Sequence, residues 1–141
     1  MAARSLLERF PFLSLRQTII LARVASALFF MAHAVARIVL GTIPQFGKFM
    51  EAVGFPDGVA IVWVITVSEI LCGLLLIFGR FVRIAVIPLL SIAFGGIVLI
   101  HAHIGWFVGE HGTGGSEYSV ALIVLLLVVA AADRDSSSKS K

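Results

Sequence analysis

Between Val59 and Gly79 the chain contains no Lys, Arg, Asp or His and one Glu, Glu69, set in the middle of "TVSEILCGLL". A run of that length reads as a helix crossing a bilayer, since roughly 20 apolar residues at ~1.5 Å each cover ~30 Å of hydrocarbon. Inside hydrocarbon no water satisfies a free backbone group, so the segment must bond to itself as a helix. The rest of the chain agrees. Of its 141 residues, 60% are hydrophobic and 13% charged, and the mean hydropathy is +1.07, whereas soluble domains are about 45–50% apolar. Such a length holds one domain of a few spans and no large soluble catalytic domain.

Two function classes are excluded at once. A net charge of +3 and a pI of ≈ 9.6 would suggest nucleic acid in a soluble chain, but here the basic residues flank apolar runs, where they report orientation. Self-contained thiol–disulfide chemistry needs two thiols, and Cys72 is the single cysteine.

Four apolar runs predict an all-α, membrane-spanning four-helix bundle, with spans at about 18–41, 59–79, 84–104 and 117–132. Pro88 and Gly95-Gly96 fall within the third span and are tolerated where neighbouring helices restore backbone contacts. Arg4, Arg9 and Arg16 precede the first span, Arg80 and Arg83 occupy the second turn, and Arg134, Lys139 and Lys141 follow the last. The two other loops hold only Lys48, so both termini are expected in the cytoplasm. Residues 1–17 read as an amphipathic interfacial segment rather than a removable signal peptide, residues 18–132 as the membrane domain, and residues 133–141 as a disordered tail. In the first outer loop, Phe46, Phe49, Met50 and Val53 recur at helical spacing, predicting a short interfacial helix ended by Gly54 and Pro56.

The few polar residues within the spans fall into register. Arg23, Ser26, Phe30, His33 and Arg37 share an arc of roughly 80° on the first helix, a face that should point inward. At ~1.5 Å per residue, Glu69 lies about 15 Å and His33 about 12 Å below the outer boundary, so the two can meet, and Arg37 can reach down to them. His33, His101, His103 and His111 all belong to the outer half. With Glu69 and Arg37 they outline an outward-facing pocket, over which Glu110 and Glu117 could form a lid in the glycine-rich loop "GEHGTGGSEYS". The expected pocket residues are His33, Arg37, Glu69, His101 and Glu117; Arg23, Ser26 and Arg83 are expected to be structural. Trp63 and Trp106 read as packing or belt aromatics, His103 and His111 as interfacial, and Gly73 and Gly95-Gly96 as close-packing sites. No metal is expected, because residues two apart on a helix, such as His101 and His103, point roughly 200° apart.

The order of these features resembles the DoxX family of small four-helix membrane proteins. The matching stretches are "LARVASALFFMAHAVAR", "FMEAVGFP", "VSEILCGLLLIFGRFVR" and "IHAHIGWF". The resemblance covers roughly residues 18–132. It departs at "HAVARI", where the family usually has a glycine after the histidine and a lysine further on.

The resemblance implies a subunit of a redox-associated complex in a bacterial cytoplasmic membrane, related to subunits of a thiosulfate:quinone oxidoreductase. Three functions are compatible with the residues: a redox-complex subunit whose pocket takes a quinone or similar small amphiphile; a non-catalytic binding or transport protein for a lipid-like molecule; and a scaffold recruiting a soluble redox enzyme. No tightly bound cofactor is expected, no catalytic residue is assigned, and the lipid bilayer is an expected partner.

Overall fold

A computed structural model describes residues 10–108 and 114–138. Among these residues the regular elements are helices, and one isolated β-bridge joins Val108 to Gly114. In chain order the helices are α1 (Leu15–Val39), α2 (Ile43–Ala52), α3 (Gly58–Phe78), α4 (Val82–Ile104) and α5 (Glu117–Ser138). With 25, 21 and 23 residues, α1, α3 and α4 are long and apolar enough to cross a membrane. In α5 the charges at Glu117, Asp133, Arg134 and Asp135 confine the apolar stretch to residues 118–132.

Local chemistry sets the helix ends. At the start of α1 the Gln17 backbone donates to Ser14 Oγ at 3.3 Å and the Ser14 backbone to Gln17 Oε1 at 2.8 Å, a reciprocal cap. Leu15, Arg16 and Gln17, assigned from the sequence to the interfacial segment, therefore belong to α1; residues 1–9 lie outside the described residues. α3 ends at Gly79, φ +66, where the Gly79 and Arg80 amides donate to the carbonyls of Leu76 and Leu75 at 3.1 and 2.9 Å. The expected disordered tail needs correction for residues 133–138. These continue α5, with Ser136 Oγ donating to the Ala132 carbonyl at 2.9 Å, because a serine or aspartate in a last turn can return its bonds to the helix itself. Residues 139–141 are not among those described.

The long helices close into a ring, α1 against α3, α3 against α4, α4 against α5, and α5 back against α1, while α2 lies on α3. α1 and α3 run antiparallel, since Arg37 faces Thr66 and Glu69, Met31 faces Gly73, and Arg23 faces Gly79. Gly73 is a close-packing site as expected: a Cβ there would lie 2.5 Å from Met31 Cγ. A tighter approach, absent from the sequence reading, brings Gly58 of α3 onto the backbone of Gly47 in α2.

Two apolar clusters result. The larger gathers Phe30, Leu76, Val86, Leu89, Leu122 and Leu126 along the ring's interior; the smaller joins Ile43 and Met50 of α2 to Val62 of α3. The outward faces carry exposed Leu28, Val64, Leu71, Phe78, Ile87 and Phe94. In water these faces would be a liability, whereas against lipid chains they are matched to their solvent.

Candidate functional site

Where the ring meets α2, the interior is hollow. A cavity of ≈ 530 Å³ is lined by Phe30, His33 and Arg37 of α1, Phe46 and Met50 of α2, and Ile61, Ile65 and Glu69 of α3. Ser91, Gly95, Gly96, Leu99 and His101 of α4 and Tyr118, Ser119 and Leu122 of α5 add to the wall. Its residues come from both apolar clusters, so a mostly apolar chamber carries a few fixed polar groups, the common form of a small-molecule site.

Arg37 organises the polar part. It lies in the last turn of α1, where the helix dipole favours a cation. One terminal guanidinium nitrogen donates to Thr66 Oγ1 at 3.0 Å and the other to Glu69 Oε2. The Thr66 hydroxyl donates its own hydrogen bond to the Val62 carbonyl at 2.7 Å. The Phe46 ring centroid lies 5.9 Å from the guanidinium carbon, so α2 holds the cation from a third side. The side chains of Arg37 and Glu69 are 15% and 3% exposed. Thr66 and Phe46 went unrecognised in the sequence. For Thr66 a signal existed, because it stands three residues before Glu69 and so shares its helix face.

His33 lies on the same cavity wall, but Glu69 makes its hydrogen bond with Arg37. Ser26 is buried and donates to the Ala22 carbonyl at 2.8 Å. The Arg23 guanidinium packs on Gly79, where a Cβ would lie 2.6 Å from its nearer terminal nitrogen, and its Nε has no hydrogen-bond partner among the described residues. Arg83 forms an exposed pair with Asp133 at 3.2 Å. Glu117 is absent from the cavity wall; its Oε1 accepts from the Val108 backbone at 2.8 Å, tying Val108 to the start of α5. Glu110 and His111 lie outside the described residues.

Gly95 and Gly96 depart from the expected close packing. A Cβ on Gly95 would meet nothing within 4 Å, and one on Gly96 would meet only the His101 ring, at 3.7 Å. Both open the cavity instead of joining helices. Immediately after them, residues Ile97–His101 form a π-helical turn. Adjacent glycines weaken the helix, and a one-residue expansion is relieved there. The turn places His101 on the cavity wall with Nδ1 2.9 Å from the Gly114 carbonyl oxygen, while His103 is exposed. Among the described residues no group of three or more His, Cys, Asp or Glu side chains could hold a metal ion.

No match was found among curated proteins or among solved structures. The DoxX family model, by contrast, matches residues 18–102, a stretch that contains the α1 polar stripe, Glu69 and His101. With that match and its three apolar helices, the chain is an integral membrane protein and belongs to the DoxX family, whose members are often associated with redox-related functions.

Proposed function

We propose that this protein is a membrane subunit of a redox-associated assembly and that its cavity holds a small amphiphile, a quinone or its reduced form being the chemical type that fits best. All four long helices span the bilayer in this reading, with both termini in the cytoplasm of a bacterial cell and the cavity in the outer half of the membrane. The observation that carries it is the chamber itself: ≈ 530 Å³ of space behind α2, walled mostly by aliphatic and aromatic side chains and supplied with His33, Arg37, His101 and Ser119. A planar head with polar edges and an apolar tail is matched by such a wall.

A ligand-filling substitution tests the reading. Gly95→Leu directs a side chain into open space, so it should leave the fold intact. Protein in nanodiscs loaded with ubiquinone or menaquinone is released into a mass spectrometer, and retained quinone is counted against retained phospholipid. Quinone retained by the parent and lost from Gly95→Leu is the expected result. Retention of phospholipid alone favours the lipid-binding reading, and retention of neither leaves the scaffold.

A further inference from the structure

His101 spends its proton away from the cavity. A carbonyl oxygen can only accept, so the 2.9 Å contact with Gly114 requires the hydrogen on Nδ1. In the neutral imidazole the other nitrogen then carries a lone pair and no hydrogen. That nitrogen, Nε2, lies beside Gly96, 3.8 Å from where a Cβ would stand; both residues line the cavity, and Nε2 has no hydrogen-bond partner among the described residues. Ser91, on the same helix and the same wall, donates its hydroxyl proton to the Ile87 carbonyl at 3.1 Å and likewise leaves an acceptor oxygen.

We propose that the cavity selects ligands that donate a hydrogen bond, taking the hydroquinone form of a small amphiphile in preference to the quinone, with His101 Nε2 as the acceptor that sets this choice. This rests on the cavity being a ligand site. A quinone carbonyl placed against Nε2 brings two acceptors together with no proton between them, whereas a hydroquinone hydroxyl supplies the missing donor. The π turn matters because it sets His101 where one nitrogen reaches Gly114 and the ring edge reaches the cavity. The Gly114 carbonyl thus fixes the tautomer that the ligand meets.

Three probes of one shape separate the cases: durohydroquinone, duroquinone and the hydroquinone's dimethyl ether. Binding to the full chain in nanodiscs is measured anaerobically by competition. One acceptor satisfied by the ligand against one stranded beneath it predicts roughly tenfold tighter binding of the hydroquinone than of either other probe. His101→Leu should bring the three affinities together, and His101→Phe, which keeps a flat ring, should do the same if the leucine variant folds poorly. Equal affinities in the parent, or a preference that survives either substitution, overturn the assignment to His101 while leaving the cavity as a ligand site. Failure of all three probes to bind the parent overturns the cavity reading and this one with it.

Discussion

Arg37 in α1 lays its guanidinium on the carboxylate of Glu69 in α3, joining residues 32 positions apart between two helices that also meet at Gly73 and Gly79. A lone carboxylate deep in an apolar helix is costly. Here its partner is supplied by a neighbouring helix and is itself held by Thr66 and Phe46. The pair therefore acts as a register pin between α1 and α3 as well as the polar floor of the cavity.

Removing one member of such a pair strands the other, at a cost of ~3–5 kcal/mol. Glu69→Gln and Arg37→Gln should each lower the thermal unfolding temperature in detergent, and the double variant should recover most of the loss. Quinone retention should stay below the parent in all three. Recovery of stability together with undiminished retention would reduce the pair to architecture.

The three apolar helices α1, α3 and α4 were legible because hydropathy is a property of windows, and each of these windows is nearly free of charge. The Arg37–Glu69 meeting was legible because depth along a helix follows from residue count. Three things were not. Whether Asp133 to Ser138 end or extend α5 depends on bonds each side chain can make in either state. Gly95 and Gly96 resemble any small-residue packing motif until a neighbour is found absent. The π turn at Ile97–His101 changes the facing of His101 by a fraction of a turn, which no 3.6-residue periodicity registers.

Both termini should lie on the cytoplasmic side. Eight Lys and Arg residues stand on that side in the proposed topology, against Lys48 on the other. A reporter fused after Lys141 and one inserted within "GEHGTGG" should give opposite compartments, and equal signals from the two would remove α5 from the spanning set.

Gly79 holds φ +66 and sits under the Arg23 guanidinium. Gly79→Ala should cost ~1–2 kcal/mol from the left-handed backbone alone, with the arginine displaced besides. Gly79→Asn should be milder in its backbone cost, since asparagine adopts this conformation more readily. Thermal unfolding of the two variants gives the order, and an alanine variant as stable as the parent would remove the role assigned to this cap.

Gly58 and Gly73 both stand at close approaches, but what they touch differs. A Cβ on Gly73 meets Met31 Cγ and Sδ at 2.5 and 2.7 Å, the flexible part of an unbranched side chain that can turn aside. A Cβ on Gly58 meets the backbone of Gly47, which can yield only by moving α2 off α3. Gly73→Ala should therefore cost within the ~1–3 kcal/mol usual for overpacking, and Gly58→Ala more. Because Phe46 and Met50 ride on α2 and line the cavity, Gly58→Ala should also weaken quinone retention, whereas Gly73→Ala should leave it near the parent value. Unfolding temperatures and retention measured side by side decide the matter, and the reverse order of the two variants would mean that α2 is not held by this contact.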